Sequence, residues 1–446
     1  MAIELENEEI PRYLRVYNYY KELILSGKLT AQTKLPSIRK GSAQLQMSRT
    51  TMETAYMLLA AEGYIVSRPQ SGYYVTDIAE RQKSRAKVGG ARKKREGTKI
   101  RYDFVTSGVD RESFRFELWR RYMKSALRQD ERLLSYGEPQ GEQEFREVLC
   151  GYLQEMRSVI CTPEQIVVGA GVQTLLQILC PLLKGRGKIA FYNPEFLQGR
   201  AVFEDYGFEM AADYHEEGTG MYYISPSQMA KWEGVMPVAD RLSLIGEAAG
   251  RNLLIIEDDY NSEFRYFQRP TPSLQGLSGG RGVIYLGTFS KMLLPSIRMS
   301  FMVLPPELLE EYEKRKNRYN QTASKAEQIA ITQFIRDGHL TGQIRKSRKI
   351  HMAKAAELAR AAEKVFGKRV QAKVGEAGFQ VMLIFRTEST SREIAERARR
   401  VGVAVLPVPP ALENGNQEKT AAIMLVCANV AVHDYEEAME KLSYCI

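Results

Sequence analysis

Residues 286–298 read Leu-Gly-Thr-Phe-Ser-Lys-Met-Leu-Leu-Pro-Ser-Ile-Arg, and the apolar run Val283-Ile284-Tyr285-Leu286 leads into them. That run has the length and composition of a buried strand, so Lys291 stands just past a strand end. Arg298 lies seven residues further on. Upstream, a second apolar run at 253–256 ends in Glu257-Asp258-Asp259-Tyr260. Each of these residue types has a chemical use. A lysine amine condenses with an aldehyde to form a Schiff base. An aspartate keeps a pyridine nitrogen protonated, so that the ring withdraws electrons. Ser290 and Arg298 can bond a phosphate, the arginine with its planar fork. Lys291 alone would read as a surface lysine after a strand. With Asp258, Ser290 and Arg298 in this order, the set is what a pyridoxal 5'-phosphate (PLP) site requires.

Glycines mark the phosphate end of the same site. Gly169-Ala170-Gly171-Val172-Gln173 follows the strand-like run 165–168 and opens a predicted helix over 174–183. Backbone N–H groups at such a helix start, here Gly171, Val172 and Gln173, attract a phosphate. Phe196 comes soon after the next strand, 188–191, and can stack on the pyridine ring or simply pack in the core. Tyr260 can hydrogen-bond the ring hydroxyl oxygen.

Further strands are expected at 222–224, 252–256 and 299–304, most of them separated by helices. Near-continuous apolar strands argue a parallel sheet covered on both faces. After Pro305 a long charged helical stretch runs to about residue 366. A smaller α+β portion follows, with strands at 378–385, 403–406 and 423–427. At 446 residues the chain holds two or three domains. No apolar run reaches the length of a membrane span. The acidic first residues lack the basic and apolar regions of a signal peptide. The five cysteines, an odd number without CxxC spacing, read as reduced and mostly buried. A cytoplasmic protein is expected. The four scattered histidines give no metal site.

The N-terminal part, 1–77, is patterned differently. Leu14, Tyr17, Tyr20, Leu23 and Ile24 have helical spacing, and Gly27 ends the helix. Pro36 and Ser37 suit the start of a second helix running to Leu45. Gln46-Met47 makes a tight turn. Ser48 caps a third helix over 49–61, which Gly63 ends. Two β-prone pieces, 64–66 and 73–75, complete a winged helix-turn-helix. Its third helix presents Ser48, Arg49, Thr50 and Thr51 to the major groove of duplex DNA. Arg49 can fork onto a guanine edge or a phosphate, and Arg39 is placed for a phosphate. Arg68 and the wing tip, Ser71-Gly72, meet the backbone or minor groove. Residues 78–101 hold ten Lys/Arg against two Asp/Glu, which accounts for most of the net charge of +9. With almost no apolar content this stretch reads as a linker that also neutralises DNA phosphates.

The N-terminal part resembles the GntR family of bacterial regulators. The match rests on Leu35-Pro36-Ser37-Ile38-Arg39, Ser48-Arg49-Thr50-Thr51, Ala61-Glu62-Gly63 and Ser71-Gly72-Tyr73. With Tyr136-Gly137-Glu138-Pro139-Gln140-Gly141, the run 256–266 and Tyr285-Leu286-Gly287-Thr288-Phe289-Ser290-Lys291, the whole chain is similar to the MocR/GabR subfamily. That resemblance implies a winged helix-turn-helix (α+β), 1–77, joined to a C-terminal α/β fold-type I aminotransferase-like domain, 102–446. It implies a PLP-binding transcription factor that senses a small amine, an amino acid or PLP through Schiff-base exchange at Lys291. It also implies a homodimer by head-to-tail domain exchange on operator DNA, with Tyr136 reaching the partner's phosphate. Two residues at the effector site depart from the family. Gln228 stands where a histidine is usual, and Asn429 where an arginine holds a substrate carboxylate. Asn429 offers neither charge nor fork, and Arg345 or Arg348 is the candidate substitute. An active aminotransferase with a DNA-binding appendage is the rival reading. A regulator that has lost PLP is a third.

Overall fold

The computed structural model describes residues 11–77, 100–106, 108–193, 196–227, 234–260, 262–264, 271–375, 380–408 and 420–446. The chain forms two compact units, Met1–Gly97 and Thr98–Ile446. Most of the basic stretch 78–101 lies outside the described residues. Its last residue does not behave as linker: Arg101 donates its N–H to the Gly402 carbonyl and pairs with Glu437 at 2.9 Å.

In the first unit α1 (Arg12–Leu25), α2 (Ile38–Leu45) and α3 (Arg49–Ala61) precede a hairpin of β1 (Ile65–Arg68) and β2 (Gly72–Val75). Tyr17, Tyr20, Met52, Tyr56 and Leu59 form its core. Burying each such side chain contributes about 1.5–3 kcal/mol. Ser37 accepts the Lys40 N–H and Ser48 the Thr51 N–H, so both expected caps are made. Gly41 is buried where α2 crosses α3, and a Cβ there would meet the Met52 methyl at 2.5 Å. The helix-turn-helix turn has no glycine; Gln46 takes the left-handed conformation itself, at φ 52°. The hairpin pairs antiparallel from Ile65↔Val75 to Arg68↔Gly72.

The second unit opens with β3 (Tyr102–Asp103), which pairs parallel with a strand 301 residues on. Its main sheet uses β4 (Ile166–Gly169), β5 (Lys188–Phe191), β6 (Met210–Ala211), β7 (Thr219–Ile224), β8 (Leu254–Asp259), β9 (Val283–Thr288) and β10 (Ser300–Val303). Their order is β4-β10-β9-β8-β7-β5-β6. The expectation of a parallel sheet holds for β5 to β9, but β10 runs antiparallel to both β4 and β9. A short return after β9 leaves no room for the crossover helix that a parallel pair needs. Both faces are covered. Leu254, Ile256 and Leu286 pack with Leu175 and Leu176 on one face, and Ile255 and Tyr285 sit in cores on the other.

The helical stretch after Pro305 is three α-helices, Pro306–Arg315, Lys325–Arg336 and His339–Phe366. A small antiparallel sheet of β11 (Val370–Val374), β12 (Gln380–Arg386), β14 (Leu406–Pro407) and β15 (Thr420–Val426) closes the unit, while β13 (Val403–Ala404) pairs with β3. All five cysteines are free thiols, three of them buried. No helix among the described residues is long and apolar enough to cross a membrane.

Candidate functional site

The acidic run belongs to β8 itself rather than following it, and parallel pairing sets Asp258 beside Leu286 and Asp259 beside Gly287 of β9. Alternation along a strand then sends neighbouring side chains to opposite faces. Glu257 accepts the N–H groups of Leu274 and Gln275, at 2.9 and 3.0 Å. Asp259 is bound by Arg157 at 2.7 Å, Tyr285 at 2.7 Å and Ser227 at 3.0 Å. These two acids fasten the sheet to the elements behind it. Although burial opposes it, Arg157 followed by the Tyr285 hydroxyl holds Asp259 below the usual carboxylate range.

Asp258 faces the other way, onto a cavity of about 250 Å³ lined also by Val172, Phe196, Tyr223, Ser225 and Tyr260. Tyr223 donates its hydroxyl to Asp258 at 2.6 Å. Burial pushes Asp258 up to about 6, while Tyr223 pulls it down, Asp259 pushes it up and Lys291 pulls it down. A buried carboxylate in this state gains from a cationic partner. Lys291, half-buried just past β9, places its Nζ 5.0 Å from the centre of the Tyr260 ring. Both residues sit at carboxyl ends of parallel strands, where ligands of α/β sheets bind.

Next to Val172, on the cavity wall, Gly171 and Arg298 meet in an arrangement that could hold an anion. Gly171 has φ +103°, and a Cβ there would lie 2.5 Å from Arg298 Nη2. Arg298 adopts φ 48° to reach this place. The helix Val172–Leu179 starts at the same point, and the first N–H groups of a helix lack partners within it. Gln173 contributes only backbone here, because its side chain donates to the Gln198 carbonyl. Ser290 is half-buried, and its N–H donates to Thr288 Oγ1 at 3.2 Å. The donor set fits PLP: an anion corner, a buried carboxylate, an aromatic wall and an amine.

Phe196 lines the cavity, its ring 5.4 Å from that of Tyr223 and tilted by 32°. Gly199 allows this, since a Cβ at that position would overlap the Phe196 ring. Sequence reasoning missed Gly199, Tyr223 and Ser225. Only strand alternation beside Asp258 could have pointed to Tyr223. Other expected residues are not in the cavity wall. Tyr136 is fully exposed. Gln228 lies outside the described residues. Asn429 is exposed and donates Nδ2 to the Thr106 carbonyl at 2.6 Å. Arg345 is exposed, and Arg348 donates Nε to the Glu263 carbonyl.

In the first unit Arg39, Arg49 and Thr50 are exposed. Ser48 and Thr51 share a hydrogen bond of 2.8 Å in the cap, so they shape the helix start as well as presenting it. Arg68 is less free than a wing-tip residue would be: it donates to Gln32 and stacks 4.4 Å from the Tyr74 ring. Ser71 bonds the Tyr74 hydroxyl at 2.7 Å, and Gly72 takes φ +104° at the tip.

Comparison with known proteins gives two family matches. Residues 12–75 match bacterial regulatory proteins of the gntR family, and residues 233–442 match aminotransferase class I and II. The uncharacterized HTH-type transcriptional regulator YdeL of Bacillus subtilis (strain 168) is 35% identical over 97% of this chain and 96% of its own. The probable rhizopine catabolism regulatory protein MocR of Rhizobium meliloti is 28% identical over 89% and 86%. Among solved structures, the α-aminoadipate aminotransferase LysN of Thermus thermophilus, complexed with N-(5'-phosphopyridoxyl)-L-leucine, matches with a TM-score of 0.64. It is 23% identical, over 78% of this chain and 92% of that one, which establishes the fold.

Proposed function

The chain belongs to the MocR/GabR subfamily of GntR regulators, HTH-type transcriptional regulators with an aminotransferase-like domain, and from that premise we propose that it holds PLP at Lys291 and senses a small amine, an amino acid or PLP itself there. One observation supports the reading: Asp258 lines the cavity, Lys291 from the end of the neighbouring parallel strand reaches the Tyr260 ring on its wall, and Gly171 meets Arg298 next to Val172, which also lines it. Asp258 would pair with the ring nitrogen, Tyr260 with the ring hydroxyl oxygen, and Arg298, Ser290 and the amides of 171–173 with the phosphate. Bound there, PLP supplies an electrophilic carbonyl carbon and an electron-withdrawing ring. Lys291 would be the amine that holds the cofactor and that a ligand's primary amine would displace.

Transamination needs more than this exchange, because the ligand must be fixed with its α-proton aligned to the ring. Asn429, tied to Thr106, offers no charge for that purpose. A sensor needs only that the ligand favour one arrangement of the protein, and a coupling factor of about 5–150 is typical. The fully exposed Tyr136 suits a homodimer in which it reaches the partner subunit. Operator DNA is bound through Arg49, Arg39 and the wing.

The test joins two measurements on protein reconstituted with excess PLP. Wild type is expected to be yellow, and Lys291→Ala to lose the visible band. Amino-acid and keto-acid pairs are expected to give no sustained turnover, while an effective ligand changes operator affinity in wild type but not in Lys291→Ala. A colourless wild type defeats the cofactor reading. Multiple turnover with unchanged DNA affinity favours an active aminotransferase instead.

A further inference from the structure

We propose that Tyr223 is a positioning residue of the cofactor site: its hydroxyl fixes the Asp258 carboxylate as an anion, in place to meet the ring nitrogen of PLP. The inference rests on the cofactor reading above and adds a residue to it. Asp258 and Asp259 are neighbours on β8 and both are buried, yet their partners differ in kind. Asp259 pairs with the Arg157 guanidinium at 2.7 Å, which offsets its charge. Asp258 takes a neutral donor, the Tyr223 hydroxyl, at 2.6 Å. Such a donor stabilises the anion and leaves its charge to a cation in the cavity. Asp258 lines that cavity, and Asp259 is not in its wall.

The tyrosine is held for this task. It is buried, and its ring stacks on Phe191 of β5 at 5.0 Å and 22°, while Phe196 approaches it at 5.4 Å. Two rings packed on a third limit its movement, so the hydroxyl is aimed before any ligand arrives. Burial pushes the Tyr223 phenol well above its ordinary range, so it stays protonated at neutral pH and donates. Three charged or titratable groups act on Asp258: Tyr223 from β7, Lys291 from beyond β9 and Asp259 on its own strand. Tyr260, which follows β8, acts on Tyr223. Of the influences that favour the ionised carboxyl, the Tyr223 bond is the largest and Lys291 comes after it. Without the hydroxyl, Lys291 is left to oppose both burial and Asp259. A neutral Asp258 cannot hold a protonated ring nitrogen.

The experiment follows PLP retained by the full chain in equilibrium dialysis as pH is lowered from the alkaline side. Tyr223→Phe keeps the ring and removes the donor. Every other titrating group is common to both proteins, so the difference between them reads Asp258. The midpoint of PLP loss is expected to lie about one pH unit or more higher in the variant, the shift produced when an anion loses one charged hydrogen bond. Retention on the alkaline side is expected to be nearly equal. Deaza-PLP, in which carbon replaces the ring nitrogen, is the control: it has no ring cation to pair, and the variant is expected to hold it as well as wild type does. Coincident midpoints overturn the proposal and leave Tyr223 as packing. An equal loss of PLP and deaza-PLP at every pH also overturns it, as the mark of a damaged pocket. If the phenylalanine variant does not fold, fluorotyrosine at position 223 decides. As a stronger donor it is expected to move the midpoint down, and an unmoved midpoint rejects the proposal. A wild type that retains PLP at no pH fails at the cofactor reading, and takes this inference with it.

Discussion

On the proposed reading, Asp258 is the residue whose state decides whether the pocket holds PLP. Its carboxyl is pushed up to about 6, chiefly by burial. The sign follows directly: above pH 6 the group is ionised and can pair with a ring cation, and below it the group is neutral and cannot. Cofactor retention, measured by equilibrium dialysis, is expected to be firm near pH 7.5 and to weaken as pH falls through and below 6. The cation itself lowers the carboxyl's pKa, so the loss begins at or under that value. Asp258→Ala is expected to retain PLP at least about tenfold less well at every pH, from the loss of a charged hydrogen bond of roughly 1.5–3 kcal/mol. Equal retention by wild type and variant at pH 7.5 would assign the ring partner elsewhere. Asp259, one residue on, plays a different part because its partner is Arg157. Removing one member of such a buried pair leaves an uncompensated charge.

Elements set how the protein meets DNA. The start of α3 is shaped by Ser48 and Thr51 and presents Arg49, which is exposed. If Arg49 forks onto a base, Arg49→Ala is expected to cost about 1–3 kcal/mol of operator binding and to relax one position of the sequence preference. A binding assay over single-base operator variants reads both effects. A uniform loss across variants would make Arg49 a phosphate contact. The turn before α3 stores strain, since Gln46 sits at φ 52°. A side chain in this conformation costs about 1–2 kcal/mol, and glycine gives back part of that through its greater freedom when unfolded. Gln46→Gly is therefore expected to stabilise the N-terminal unit by about 0.5–1 kcal/mol in denaturant unfolding. A destabilised variant would mean that the Gln46 side chain makes contacts worth more than the strain.

At the scale of the whole molecule, charge is concentrated in one stretch of the sequence, 78–101. The excess in 78–101 is eight, of a net +9. Such a segment neutralises phosphates without reading bases. Replacing Arg92, Lys93, Lys94 and Arg95 by glutamine is expected to weaken binding evenly across sequences. It should also flatten the salt dependence, by up to about 0.9 log–log slope units per lost phosphate contact. Loss of operator preference with an unchanged salt slope would reverse the roles given to linker and recognition helix. On the proposed reading, regulation requires that ligand at Lys291 and operator at α3 bias the same equilibrium, each by the same factor.

The sequence by itself determined most of the elements and the residue types that stand at their ends. Caps at Ser37 and Ser48, the spacing of Tyr17 and Tyr20 and the strand–lysine run at 283–291 are local signals, and local signals survive in one dimension. Lys291, Asp258, Gly171 and Phe196 could be singled out because each stands near the end of a strand or the start of a helix. Tertiary structure alone decided what depends on neighbours distant in sequence. The antiparallel run of β10, the pairing of β3 with β13, and Tyr223 behind Asp258 are set by strands meeting across 35 to 301 residues. The same holds for Asn429 tied to Thr106 and for the partners of Arg157 and Arg348. Residue type tells what a side chain can do; which partner it is given depends on packing, and packing is a property of the folded chain.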